Sequence, residues 1–197
     1  RNVYHLVYIV KPNMPYGYSL DTLEIEFLLK KYSACKFIVD EAYIEYSDKF
    51  DSSVKLVNSY DNIIITRTFS KFFGLPSMRV GYAVAHPKII KEMGILHNGK
   101  DIQQISLRAV ISVLSDLPHY NKQIVSFKKI KHYLNKRMSD VLKKYPRGLI
   151  NGYSMKDGMF FLLFSSDAQL LTDLFFKQGI IIRNKHEDIP CAVRITL

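Results

Sequence analysis

Three apolar runs, each closed by a polar signature, constrain this chain most: HLVYIV before KPNMPYG, KFIV before DEAY, and NIIIT before RTFSK. Short continuous β-rich runs of this kind predict strands buried on both faces, as in a sheet covered by helices. Between the first two lies SLDTLEIEFLLKKY, with Asp21 and Glu24 spaced as a capping box and Leu20, Leu23, Phe27 and Leu28 on one helical face. Strand, helix and strand in that order predict a β-α-β unit with a parallel pair. A fourth run, VGYAVA, follows the Pro76 turn after too short a connection for a crossover, so it is expected to run antiparallel to its neighbour.

Further along, HPKIIKEM reads as a helix with Pro87 in its first turn, and DIQQISLRAVISVLSDLP as a longer one begun by Asp101 and stopped before Pro118. Residues 121–146 form an amphipathic helix. Ile124, Phe127, Ile130, Leu134, Met138 and Val141 make its apolar stripe, and Lys128, Lys129, Lys136, Lys143 and Lys144 take the other faces. After Gly148 the order becomes GMFFLLF (strand), DAQLLTDLFFKQG (helix closed by Gly179), IIIRN (strand) and CAVRITL (strand). The fold expected is α/β: a mainly parallel, three-layer large domain over residues 1–118 and a smaller C-terminal α/β domain over residues 119–197.

The net charge of +10 collects on the 121–146 helix, where a solvated basic face is the ordinary meaning of a charge run. No nucleic acid is expected as partner, whereas a small anionic substrate suits the charge. Cys35 and Cys191 are too few for a disulfide framework and wrongly spaced for a structural zinc site. Both are expected to be reduced and buried, with no metal bound. No apolar run approaches 18 residues and the opening RNVYHLVYIVKP lacks a small-residue cleavage site, so the expectation is a cytoplasmic chain without a membrane partner.

In an open parallel sheet, ligands sit at the carboxyl ends of the strands, where PNMPYG, DEAY and TRTFSK fall. Asp40 taken alone reads more readily as a loop cap than as a catalyst. Lys71 is harder to dismiss: it stands among Phe69, Phe72, Phe73 and Leu75, a setting that favours a free nucleophilic amine. Arg79 follows in similar company.

Taken together, KPNMPYG, DEAY at 40–43, RTFSKFFGLPSMRVGY at 67–82 and the closing GIIIRN and VRITL resemble the pyridoxal-phosphate-dependent aminotransferases of class I/II. The likeness is greatest to the histidinol-phosphate aminotransferase branch and covers nearly the whole chain. The resemblance implies pyridoxal 5'-phosphate as cofactor, bound to Lys71 as a Schiff base, with Asp40 on the pyridine nitrogen and Tyr43 on the ring phenolate. It also implies that Thr68, Ser70 and Arg79 bind the cofactor phosphate, and that Arg194 and Arg183 take the anionic group of the substrate. The activity implied is amino-group transfer between a small anionic amine or amino acid, phosphorylated ones included, and a 2-oxo acid, in a homodimer.

The chain departs from the family pattern at several places. Met14 stands where an asparagine usually meets the ring phenolate, and a thioether cannot make that bond. Tyr16 replaces a threonine, and HNGKDIQQIS at 97–106 replaces a Pro-Tyr-Asn-Val type segment. DGMFFLLF replaces an Ala-Asn-Phe strand start. Family chains are much longer, so the resemblance further implies that this is a fragment lacking an N-terminal region that cradles the phosphate and stacks on the ring. A decarboxylase of an O-phospho amino acid shares these motifs and stays open as an alternative, as does a non-catalytic binding domain. A phosphate-loop ATPase is a weaker rival. GILHNGK at 94–100 fits its glycine spacing, but Asp101 stands where Ser or Thr should reach magnesium, and the order of the two motifs is inverted.

Overall fold

A computed structural model describes residues 4–96 and 102–197. The chain runs β1 (Leu6–Val10), α1 (Thr22–Lys31), β2 (Lys36–Asp40), β3 (Ile63–Thr68), β4 (Gly81–Ala85), α2 (Pro87–Leu96), α3 (Gln104–Ser115), α4 (Leu117–Lys144), β5 (Ile150–Ser154), β6 (Phe160–Ser165), α5 (Ala168–Lys177), β7 (Arg183–Asn184) and β8 (Ala192–Thr196). It forms two compact units. Arg1–Pro12 and Ser19–Lys122 make the first; Asn13–Tyr18 and Gln123–Leu197 make the second. The division falls inside α4. The turn Asn13–Tyr18 belongs to the second unit because Asp157 N donates to Gly17 O at 3.1 Å, and the Lys156 ammonium sits 3.8 Å from the centre of the Tyr18 ring.

The first unit carries a sheet of order β1-β2-β3-β4, with the first three strands parallel and β4 antiparallel to β3. This is the parallel-rich α/β architecture that the apolar runs predict, including the reversal at β4. The capping box also forms: Glu24 N donates to Asp21 Oδ1 at 2.8 Å, and Asp21 N donates to Glu24 Oε2 at 2.7 Å. The strands nevertheless do not bury both faces equally. Val7, Ile9, Phe37, Val39, Ile63 and Ile65 pack on Ile25 and Leu29 of α1 and on Leu56 and Val57. Val7 and Ile9 are partly buried, and fully burying each of the others contributes about 1.5–3 kcal/mol. The opposite face, bearing Tyr8, Ile38, Asp40, Ile64, Thr66 and Thr68, stays half-buried or exposed.

The second unit is built on an antiparallel sheet of order β5-β6-β8-β7. Phe161, Leu163 and Val193 pack with Ala168 and Leu171 of α5 beneath Met138 of α4.

α3 stops before Pro118 as expected, at Ser115, and Pro118 then stands in the first turn of α4, where a missing N–H costs nothing. Two local expectations are corrected. Within α4 the inward position is Lys131 rather than Ile130, which is exposed. The spacing 127, 131, 134, 138 follows the helical repeat, and a lysine stem can lie along an apolar surface. Cys191 is exposed and Cys35 half-buried. Cys191 occupies a left-handed turn (φ 62°) held by its N–H donating to His186 Nδ1 at 3.0 Å, which turns its side chain outward. The expected helix start at Asp101, and residues 97–101 of the divergent 97–106 segment, lie outside the described residues.

Candidate active site

Register sets the geometry of the first unit. Asp40 and Thr66 are partners at the carboxyl ends of β2 and β3, and Asp40 shares its face with Thr66 and Thr68. Beyond these ends the two chains turn into the DEAY and TFSK loops, so Asp40 and Lys71 leave adjacent strands at the same end of the sheet. The Lys71 ammonium stands 5.2 Å from the centre of the Tyr43 ring. Lys71 is exposed rather than enclosed by its phenylalanines. Those rings turn away: Phe72 and Phe73 pack 5.6 and 5.1 Å from the Tyr120 ring, and Phe69 lies 5.7 Å from Tyr82. The Gly74 N–H, donating to Lys71 O at 3.0 Å, closes the turn that leaves the lysine outside this cluster.

Asp40 is held at both oxygens. The Ala42 N–H donates to Oδ1 at 2.9 Å, and the Tyr8 hydroxyl donates to Oδ2. Two carboxylate oxygens offer about four acceptor positions, so roughly two remain for a ligand. The carboxylate in turn pushes the Tyr8 phenol up to about 12, through the hydrogen bond first, then burial and its charge.

Two further clamps fix the loops. Glu41 is 0% exposed and accepts from Arg67 Nη2 at 2.8 Å, Arg67 Nε at 3.1 Å, Ser52 Oγ at 2.8 Å and Ser53 N at 2.7 Å. Burial opposes the Arg67 charge, but the hydrogen bonds of Glu41 and Tyr82 outweigh it and raise the guanidinium pKa. Lys11, 1% exposed, bonds Asp51 Oδ2 and Ser53 Oγ at 3.2 Å and Thr22 Oγ1 at 3.4 Å. Its charge is met by Asp51, which also accepts from Thr22 N and Oγ1.

Thr68, Ser70 and Arg79 converge on one turn. The Ser70 N–H donates to Thr68 Oγ1 at 3.1 Å, while Phe69 N and Thr68 Oγ1 both donate to Val80 O, next to Arg79. Arg79 is exposed, in the left-handed region (φ 54°), with Nη1 on Pro76 O at 3.0 Å. Among the described residues that bond leaves most of its five donors available.

In the second unit, Arg183 and Arg194 are partners across β7 and β8 and so share one face. Like charges directly opposite each other are destabilising unless an anion meets them. Arg194 Nε is buried with no hydrogen-bond partner among the described residues, and its guanidinium carbon lies 4.4 Å from the Phe160 ring centre. Such an orphaned donor costs about 1–3 kcal/mol until a ligand accepts from it. Gly94 lies within α2, preceded by helix rather than strand, which removes the setting that a phosphate loop requires.

Sequence reasoning placed no role on Tyr8, Lys11, Glu41 or Arg67. Glu41 and Arg67 sit inside the quoted motifs, and opposite charges ending adjacent strands were the available signal. Tyr8 could have been found from the alternation along HLVYIV, which puts it on the face of Asp40 once the register is known.

The model of the aminotransferase class I and II family matches residues 1–197. A dihydroxyacetone phosphate transaminase of Campylobacter jejuni is 32% identical over 98% of this chain and 51% of its own length. A histidinol-phosphate aminotransferase of Christiangramia forsetii is 27% identical over 98% of this chain and 53% of its own. The crystal structure of a histidinol-phosphate aminotransferase from Clostridium acetobutylicum superposes with a TM-score of 0.82 at 26% identity, covering 98% of this chain and 58% of that one. The chain thus spans about half the length of the curated relatives it matches. With motifs, fold and whole-chain match in agreement, it belongs to the aminotransferase class I and II family.

Proposed function

We propose that this chain serves a pyridoxal-phosphate-dependent aminotransferase that moves an amino group between a small anionic amine or amino acid and a 2-oxo acid. The observation carrying this reading is the placement of Asp40 and Lys71 on adjacent strand ends, at the same end of a parallel-rich sheet. The donor set fits the cofactor: an exposed amine, a carboxylate with acceptor positions to spare, and hydroxyl and guanidinium donors gathered at one turn. When bound, pyridoxal phosphate supplies an aldehyde that condenses with amines and a protonated ring that accepts electrons from the substrate carbon.

Asp40 holds the proton on the ring nitrogen. Lys71 Nζ would hold the cofactor at its aldehyde carbon, and as a free amine it would move a proton at the substrate carbon. The Tyr43 hydroxyl donates to the ring phenolate, a contact that falls more heavily on it because Met14 cannot contribute. Thr68, Ser70 and Arg79 bind the phosphate, for which a guanidinium fork is well shaped. Arg183 and Arg194 take the anionic group of the substrate, which answers the orphaned Arg194 donor. The phosphorylated substrates in the names of both relatives support an anionic substrate here. Homodimerisation and a cytoplasmic setting belong to the same reading and rest on the family resemblance.

The test is direct. The full chain is incubated with pyridoxal phosphate, reduced with borohydride and digested. A cofactor mass on the peptide bearing Lys71, lost in Lys71→Ala, is expected. Protein that stays colourless with excess cofactor would refute the reading. Supplying phosphorylated amines with 2-oxoglutarate should yield glutamate, and carbon dioxide in its place would replace transfer by decarboxylation.

A further inference from the structure

The half-open face of the first sheet carries one polar contact that the proposed chemistry leaves unused. β1 and β2 run parallel with Val10 opposite Asp40 and Tyr8 opposite Ile38. The direct neighbour of Asp40 on β1 is therefore apolar, and the diagonal neighbour is a tyrosine. Diagonal positions on one face lie about 7–8 Å apart, within reach of a tyrosine side chain. The Tyr8 hydroxyl spans that gap and donates to Asp40 Oδ2. From the other side Ala42 N–H holds Oδ1.

A carboxylate on its own turns readily about its last torsion, which is broad and two-fold. One anchor on each oxygen stops that turning. We propose that Tyr8 is a positioning residue for Asp40: its phenol fixes the rotation of the carboxylate, so that the cofactor ring nitrogen meets it in one orientation. The inference rests on the functional reading above. It adds a residue from a strand that contributes no other group to the proposed chemistry. The raised Tyr8 phenol supports the pairing, since a phenol donating to a carboxylate resists losing its proton. Tyr8 is 58% exposed, and the hydrogen bond to Asp40 outranks burial as the cause of the shift.

The experiment is a double-mutant cycle on the full chain with Tyr8→Phe, Asp40→Asn and both together, reading pyridoxal phosphate affinity and the state of the Tyr8 ring. Phenylalanine keeps the ring and removes only the donor. Tyr8→Phe is expected to weaken the cofactor about tenfold in the parent chain and to change nothing further in Asp40→Asn, because a positioning residue has no effect once its target is gone. An unchanged affinity, or the same loss in both backgrounds, would overturn the proposal. The second readout is the ring-carbon NMR signal of labelled tyrosine at pH 11, with Tyr8 identified by its disappearance in Tyr8→Phe. The ring should be mainly protonated in the parent and markedly more ionised in Asp40→Asn. Equal ionisation in the two would overturn the proposal. If the parent chain takes up no cofactor, the functional reading fails, and the NMR comparison still decides whether Tyr8 holds Asp40.

Discussion

Arg67 and Glu41 allow the sharpest test of what fixes the ends of β2 and β3. Glu41 is fully buried and meets four donors, two of them from one guanidinium. Replacing Arg67 by Met keeps most of the buried stem but leaves the carboxylate enclosed with, among the described residues, Ser52 and Ser53 as partners. Stranding one member of a buried ion pair costs about 3–5 kcal/mol. That is a large share of the roughly 5–15 kcal/mol by which a domain is stable. With a urea slope of about 2 kcal/mol per molar, the unfolding midpoint should fall by about 2 M. Adding Glu41→Gln to Arg67→Met should then restore stability rather than remove more. The amide carries no charge to strand, its oxygen can still accept from Ser53 N, and its NH₂ can donate to Ser52 Oγ. Urea unfolding followed by far-UV circular dichroism measures all the variants. A midpoint fall below about 0.5 M for Arg67→Met, or a double variant less stable than Arg67→Met, would refute the view that this pair is a desolvated, mutually dependent unit.

Two further outcomes follow from local geometry. Hydrogen bonds from Thr22 and Lys11 outweigh burial and hold the Asp51 carboxyl below its ordinary range, so its stabilising effect is complete above about pH 4 and is lost as the pH falls through the folded value. Asp51→Asn should therefore be less stable than the parent at pH 7, with the gap closing under acid, as thermal melts across pH 2–7 would read. Gly17 sits at φ 72°, and an added Cβ would stand 2.5 Å from Asp157 O, so Gly17→Ala should destabilise the second unit by about 1–3 kcal/mol. Amide exchange at β5 and β6 would report that loss, and unchanged protection there would contradict it.

What the sequence made legible was local. The β-α-β unit, the Asp21–Glu24 cap and the antiparallel return of β4 each follow from residues within a few places of one another, where spacing alone dictates geometry. Lys71 shows where that reasoning stops. Four apolar neighbours suggested enclosure, yet a turn decides which way each side chain points, and here the aromatic rings find Tyr120, some fifty positions away, while the lysine stays outside. Arg183 and Arg194 carry the same lesson in reverse. Each is ambiguous alone, an exposed strand end and an arginine on an apolar strand, and only the β7–β8 register makes them neighbours. Tyr8 went unnoticed for that reason too, since a one-residue slip of β1 against β2 would move it to the opposite face. The chemical groups could thus be named from the chain, but which of them act as pairs is decided by strand register, a non-local property. Register is also what the Tyr8 and Asp40 cycle measures: a coupling energy appears only if β1 and β2 are aligned as described.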